Sequence, residues 1–305
     1  MTLHLNNQPI PDQDFPLFLQ VHSPALQVEV AKDPRTPVAL LDQWAHHRTN
    51  VLLMLAIANN PNTAPETLER LADQNDWSVQ TAIATHPHTP LAVLWKLFDL
   101  HDYNIDDALI RSPNLTDDLS LALLHRPLDD RQLISLASNP TITNHIIEQL
   151  INCQTTHAFQ DAHLVPLAGR ASLSPSQVRE LCRRYEENRN DELRAALSQR
   201  TDLLPEDYHR LLDTNRQSTS SEFFIRMRLA ENPAVPPAIL HTLFNQGNAY
   251  TLWEYLCNNP ACPTEILEYI AKRTRNQTVL RRLRQHPHLT EATKLKLTFK
   301  HMTRG

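Results

Sequence analysis

The chain has 305 residues, with three glycines against 22 prolines, four cysteines and a formal net charge of −5 at neutral pH. So little glycine excludes the glycine-rich loops that cradle phosphates, and so much proline suits short helices punctuated by turns. A chain of this length can bury two ordinary cores or one continuous core built from repeats.

Residues 1–23 precede the periodic part and carry Pro9, Pro11 and Pro16, which predict irregular structure. Phe15 to Val21 is expected to cover the open end of the repeat array, because terminal repeats need capping. No basic stretch precedes an apolar one, so no signal peptide is expected. The longest apolar run, Val51 to Ala58, falls far short of a membrane span. It is expected to be a helix buried on both sides by its neighbours. A soluble, cytoplasmic protein with no membrane contact follows from these readings.

From residue 24 to 151 one motif recurs every 26 or 27 residues. It stands as Ala31-Lys-Asp-Pro-Arg-Thr-Pro37, Ala58-Asn-Asn-Pro-Asn-Thr-Ala64 and Ala84-Thr-His-Pro-His-Thr-Pro90, and returns at Ala137-Ser-Asn-Pro140. The anchors are Pro34, Pro61, Pro87, Pro113 and Pro140, then Pro233, Pro260 and Pro287, with Ala171 and Thr201 standing in between, ten in all. Four residues before each anchor the chain is apolar, from Val30 and Ile57 to Leu256 and Leu283. Ten residues after, it is apolar again, from Trp44 and Leu71 to Ile270 and Leu297. Seven residues after, only Ser120 and Lys294 break the column.

Spacing inside a repeat is helical on both sides of the turn: Val79, Ile83 and Ala84 share one face, Leu94, Leu97 and Phe98 another. The anchor proline ends the first helix by pushing its predecessor out of the α region. Thr36, Thr89 and Ser174, each before a second proline, are predicted to N-cap the second helix, with Gln177 completing a capping box for Ser174.

Between residues 152 and 228 the period stretches to about 30 and the turns change. Polar insertions appear at Gln154–His157, Glu186–Asp191 and Asn215–Ser221, and are expected to be loops along one edge. Residues 229–305 return to the regular motif and end in a basic cap. From Ile270 to Gly305 there are ten Lys or Arg against one Glu.

The motif resembles the variant leucine-rich repeat family, bacterial α-solenoids with an Ala-x-Asn-Pro-x-Thr-Pro-x-x-Leu-Leu-x-x-Leu-Ala consensus. The match runs from about residue 24 to 298 and is close in repeats one to three, eight and nine. The resemblance implies alternating α- and 3-10-helical segments wound into a right-handed superhelix. Members of the family carry an iron–sulfur cluster on cysteines of an N-terminal segment. This chain has no cysteine before Cys153, so that property does not carry over. Tetratricopeptide and HEAT units are longer than this period, and ordinary leucine-rich repeats need a strand where Trp77 to Thr85 has helical spacing. Only Leu119 to Leu124 alternates like a strand.

Candidate chemistry is sparse. Cys182 and Cys257 occupy apolar core positions and Cys262 a turn position used elsewhere by threonine, with no zinc-ligand spacing. His86-Pro-His88 and His286-Pro-His288 sit in equivalent turns, where histidine replaces the asparagine of other repeats. His46 and His47 end repeat one. The doublets Asp106-Asp107, Asp117-Asp118 and Asp129-Asp130 point to different helix faces and are expected to be solvated helix termini. No nucleophile turn or metal-protease motif is present.

The sequence therefore predicts an all-α fold, a right-handed α-solenoid of about ten two-helix repeats of 26–32 residues, with neither cofactor nor metal. Its expected function is non-enzymatic: a scaffold binding a protein partner, one with an acidic patch, on its extended curved surface. The candidate contact residues are Lys272, Arg273, Arg275, Arg281, Arg282 and Arg284. The alternative is nucleic-acid or other polyanion binding through the same residues.

Overall fold

Proline sets where the helices stop and start. Asp33, His86, Asn139 and His286, each just before an anchor proline, are extended, with ψ of 126°, 134°, 123° and 131°. That is the conformation a following proline imposes. Pro24, Pro65, Pro175 and Pro205 open helices in the first turn, where a missing N–H costs nothing.

The computed structural model describes residues 4–5, 8–20, 23–46, 50–153, 161–212, 220–245 and 251–302. Among them are twenty α-helices in ten consecutive pairs, one pair around each anchor. In the N-terminal unit, Met1–Gln149, the pairs are α1 (Pro24–Lys32) with α2 (Val38–Ala45), α3 (Val51–Ala58) with α4 (Pro65–Leu71), α5 (Trp77–Thr85) with α6 (Leu91–Phe98), α7 (Tyr103–Ile110) with α8 (Asp117–Leu124), and α9 (Asp130–Ser138) with the start of α10 (Asn144–Asn152). The C-terminal unit, Leu150–Gly305, pairs α11 (Leu164–Ala168) with α12 (Pro175–Asn188), α13 (Asp191–Leu197) with α14 (Pro205–Leu211), α15 (Ser220–Glu231) with α16 (Pro237–Asn245), α17 (Trp253–Leu256) with α18 (Thr264–Arg273), and α19 (Gln277–Gln285) with α20 (Glu291–Met302).

The fold is all-α. Outside the helices, the described residues add a two-residue antiparallel pairing of His4–Leu5 with Gln8–Pro9 and one 3-10 helix, Phe15–Gln20. The alternation of α and 3-10 segments implied by the family resemblance is not found: both helices of every pair are α-helical. Most run seven to nine residues, a length at which the poorer hydrogen bonds of 3-10 geometry lose to i→i−4 bonding. The strand-like alternation of Leu119 to Leu124 likewise lies within α8.

Within the N-terminal unit the first helices pack in unbroken succession, α1 on α3, α3 on α5, α5 on α7 and α7 on α9, while the second helices are in close contact only at α2 and α4. The C-terminal unit repeats this with α11, α13, α15, α17 and α19 in succession, and α12 on α14 and α18 on α20. Between the two rows lie the apolar columns. All ten residues four before an anchor, Val30 to Leu283, have no exposed surface, and all ten residues ten after, Trp44 to Leu297, are buried. Ser120 is buried in the third column and Lys294 turns partly outward to Glu291.

Threonine does something other than its predicted cap. Thr36, Thr63 and Thr89 donate their hydroxyls at 2.5–2.6 Å to the carbonyls of Val30, Ile57 and Ile83. They therefore add a second donor at the C-terminus of the first helix, to a last-turn carbonyl that also accepts the N–H three residues on. The N-cap position of α2 and α6 falls one residue later, on Pro37 and Pro90. Ser174 does cap α12 as predicted, with the Gln177 capping box complete.

A second set of bonds joins repeat to repeat. The residue before every anchor but Ala171 is buried, and where it is asparagine its amide reaches back to two carbonyls of the preceding repeat. Asn60 donates to Ala31 and Asp33 at 2.7 and 2.9 Å, Asn139 to Ile110 and Ser112, Asn232 to Ser198 and Arg200, and Asn259 to Ala230 and Asn232. The same side chain accepts the N–H two residues on, as Asn60 does from Asn62 at 2.9 Å. In the degenerate region Arg200 makes the equivalent pair of bonds to Ala168 and Arg170.

Of the insertions, Glu186–Asp191 is no loop. It extends α12 to 14 residues and ends on Arg189 in the left-handed conformation (φ 54°), after which Asn190 caps α13. Gln154–His157 and most of Asn215–Ser221 lie outside the described residues, as do Val21 and His47. The N-terminal segment buries Ile10 and Phe15, and Arg35 ties it to the first repeat through Ile10 O and Asp12 while stacking on Phe15.

Neighbouring residues test this register. Leu97→Ala should cost about 2–5 kcal/mol in urea melts by leaving a cavity, and the adjacent, exposed Lys96→Ala within about 0.5 kcal/mol. Asn259→Ala should cost roughly 1–3 kcal/mol, since it takes the side-chain donor from Ala230 O and the acceptor from Ala261 N–H, while Asn232 O keeps the Val235 N–H, whereas exposed Asn258→Ala should be near neutral. Equal losses within either pair would show the columns to be misassigned.

Candidate functional site

The basic stretch predicted as a contact region falls on α18, α19 and the turn between them. Asn276 stops the turn and starts α19 by accepting from the N–H groups of Thr278 and Val279. Val279, Leu280 and Leu283 are buried, which sends the intervening arginines outward or sideways. Lys272, Arg273, Arg275 and Arg281 are exposed. Arg273 lies with its guanidinium 3.8 Å from the Tyr269 ring centre, and Tyr269 meets Phe244 and Trp253 edge-on at 5.1 and 6.5 Å. Arg273 and Arg275 border a hollow of about 290 Å³ with Trp253 and Asn276.

The other two candidates are corrected by their contacts. Arg282 pairs with Glu254 of the preceding repeat at 2.9 Å. Arg284 turns inward and donates to Leu297 O of α20 at 3.3 Å. The sequence placed all three arginines of this helix away from the core face. Only Arg281 stays in solvent, because Arg282 and Arg284 flank Leu283 and reach the neighbouring helices.

Most other charge is spent on structure. Arg194 and Glu222 are fully buried against each other, with Arg194 also bonding Leu211 O at 2.6 Å and Glu222 held by Arg226. Arg184 and Asp161 form a second buried pair. Such pairs resist loss of one partner more than they add net stability. The Asp106-Asp107 doublet, expected to be solvated, is buried: Asp106 pairs with Arg126 and Asp107 with Arg111. Asp117 and Asp118 do open α8, and Asp129 N-caps α9 with Asp130 following. A hollow of about 540 Å³ borders Arg170 and Arg200, but the Arg200 guanidinium is committed to two carbonyls and to Asp202.

Cys182, Cys257 and Cys262 are buried and unreactive by environment, and Cys153 is half-buried. Burial pushes Cys182 and Cys262 up to about 12, and raises Cys257 and Cys153 as well. A thiol kept protonated is a poor nucleophile and a poor metal ligand. No group of three or more His, Cys, Asp or Glu positioned to hold a metal occurs among the described residues. The paired histidines are ladder residues. His86 and His286 bond Asn60 O and Asn259 O at 2.8 Å through Nε2, and accept from His88 and His288 N–H through Nδ1. One nitrogen donating and one accepting is the neutral ring.

One surface escaped the sequence reading. Val51 to Ala58 was expected to be buried on both sides, yet Val51 and Leu52 are exposed at the start of α3, as are Trp77 and Tyr103 at the starts of α5 and α7. The signal was present: ten residues before the anchor stand Val51, Trp77 and Tyr103. Scans against family models, curated proteins and solved structures return no match for this chain.

Burial lowers the proton affinity of His86 and His286, with His88 beside the first and His288 and Lys294 beside the second opposing protonation further. The unfolded chain takes up protons below about pH 6.5, where the folded chain resists them. Stability should therefore be constant above neutrality and fall as pH drops from about 7 to 5.5, by at most about 1.4 kcal/mol per pH unit for each histidine. His86→Asn with His286→Asn, the residue other repeats use there, should flatten that slope in urea melts. An unchanged slope would place the pH dependence elsewhere.

Proposed function

We propose that this chain is a non-enzymatic α-solenoid, a right-handed superhelix of the variant leucine-rich repeat type that binds a protein partner on its extended curved surface. The observation that carries the reading is the unequal packing of the two helix rows. Within each unit the first helices abut without a break, while the second helices are in close contact only here and there. Stacked repeats held tighter along one row bend toward it, and repetition then offers a long concave surface in place of an enclosed site. Four unpaired cysteines support a reducing, cytoplasmic setting. No helix among the described residues is long and apolar enough to cross a membrane.

The exposed cations Lys272, Arg273, Arg275 and Arg281 supply a contact for an acidic patch on that partner. A polyanion fits less well. Residues 1–149 carry 18 Asp or Glu against eight Lys or Arg, so a nucleic acid lying along the repeats would meet repulsion. Four phosphate contacts would give a log–log salt slope of about −3 to −4.

Two measurements divide the readings. Anisotropy titrations with duplex and single-stranded 20-mers should give nothing tighter than the ~10⁻⁴–10⁻⁶ M of non-specific association at physiological salt. A nuclease-treated lysate passed over the immobilised protein should leave a bound polypeptide that the triple variant Arg273→Glu, Arg275→Glu, Arg281→Glu retains poorly. Nanomolar, arginine-dependent affinity for the oligonucleotides would replace the scaffold with a nucleic-acid binder. Retention of no polypeptide by wild type would refute the scaffold itself.

A further inference from the structure

Three stacked helices of the N-terminal unit each begin with a large apolar side chain in water. Leu52 on α3 is 66% exposed, Trp77 on α5 61% and Tyr103 on α7 49%, with Val51 beside Leu52. The three helices pack directly on one another in that order. The position that holds Val51, Trp77 and Tyr103 varies along the chain, being Asp130 in α9, Phe223 in α15 and Gln277 in α19, with Leu52 one residue after Val51. Scattered exposed hydrophobes need no explanation, but exposed apolar side chains at the starts of three successive packed helices, a tryptophan and a tyrosine among them, have the composition of a binding surface.

The rim of the patch carries three cap carboxylates, with Arg131, paired to Asp107, beside the last of them. Asp76, Asp102 and Asp129 N-cap α5, α7 and α9, each with one oxygen on backbone N–H groups. The second oxygen of Asp129 accepts the Tyr103 hydroxyl at 2.7 Å, which holds that ring in place. Among the described residues no Lys or Arg forms an ion pair with Asp76, Asp102 or Asp129. They belong to a unit whose formal charge is −10, from 18 acidic and eight basic residues.

We propose that this patch is the docking surface for a basic amphipathic helix of a partner protein. The inference rests on the scaffold reading and names one of its contacts. Charge complementarity selects a cationic occupant, and it disfavours an anionic membrane, which the same carboxylates would repel. Spacing selects the helix. Packed helices lie ~8–10 Å apart, and a helix rises ~1.5 Å per residue. A helix laid across α3, α5 and α7 therefore meets a new apolar column about every five to seven residues. Apolar residues at i, i+7 and i+14 stay on one face, where they would reach Leu52, Trp77 and Tyr103, with Lys or Arg beside them facing the three aspartates.

The probe is a labelled 21-residue peptide of three heptads, leucine at a and d and lysine at e and g, against the same peptide with glutamate at e and g. The lysine peptide should bind the full chain with micromolar affinity, weaken with salt, and blue-shift the tryptophan emission. Trp77 is the most exposed of the four tryptophans, Trp44 and Trp253 being buried. Leu52→Ser with Trp77→Ser should weaken binding at least tenfold at unchanged melting temperature. Leu91→Ser, also exposed but at the start of α6, should not. Equal binding of both peptides, or of wild type and the double variant, would overturn the proposal. So would sedimentation showing a wild-type dimer that the double variant dissociates, since the occupant would then be a second copy. Lysate retention that depends on Arg273, Arg275 and Arg281 but not on Leu52 and Trp77 would remove this surface and leave the scaffold standing. Loss of all retention would remove both.

Discussion

The structure depends on a buried amide that reaches back one repeat. A helix that ends at a proline leaves carbonyls without partners, and in a stack of short helices those carbonyls face the next repeat rather than water. Asn60, Asn139, Asn232 and Asn259 answer this with one side chain apiece, donating twice backward and accepting once from their own turn. In the first three repeats threonine two residues past the proline adds a second hydrogen bond to a last-turn carbonyl of its own helix. Only the second repeat, Asn60-Pro-Asn-Thr63, combines both devices in one turn; Asn139, Asn232 and Asn259 keep the backward amide without the threonine. A buried unsatisfied carbonyl costs ~1–3 kcal/mol, several times what a surface contact contributes, which is the advantage of a backward donor.

Departures from the motif follow the same logic. The first repeat has no repeat behind it, needs no backward donor, and carries Asp33, which accepts from Arg35 instead. His86 and His286 supply one donor and one acceptor with a single ring, at the cost of staying neutral in the interior. Arg200 reaches two carbonyls with one guanidinium nitrogen and spends the rest on Asp202. In repeat four Ser112 fills the buried position and Asn114 bonds other carbonyls of the preceding turn, Pro87 O and Thr89 O. What persists is a donor reaching back to the preceding turn, and residue identity varies around it.

Charge is sorted by the same packing. Arg184, Arg194 and Arg126 are drawn into buried or half-buried pairs that lock one helix to the next. Arg273, Arg275 and Arg281 sit at a helix end, a turn and an outer face, and stay in water. The acidic N-terminal unit keeps its cap carboxylates at the helix starts, where the macrodipole favours them, beside an apolar column that no neighbour covers. Binding capacity in such a chain lies in what stacking leaves over.

The ten repeats, their anchors, their helix pairs and both apolar columns were legible in the sequence, because a fixed period multiplies a weak local signal. The anchors at Ala171 and Thr201, which lack proline, proved to carry the same helix pairs. The identity of His86 and His286 as stand-ins for asparagine was legible too, from position alone. Tertiary structure decided what depends on a partner outside the repeat: that Thr36 and Thr89 bond backward rather than cap forward, that Arg282 and Arg284 turn to Glu254 and Leu297 O, that Asp106 and Asp107 are buried in ion pairs. It also decided that Val51 and Leu52 lie in solvent while the six residues after them do not. Periodicity reports which residues share a helix face. Which faces a neighbour covers is set by how repeats stack, and no single repeat contains that information.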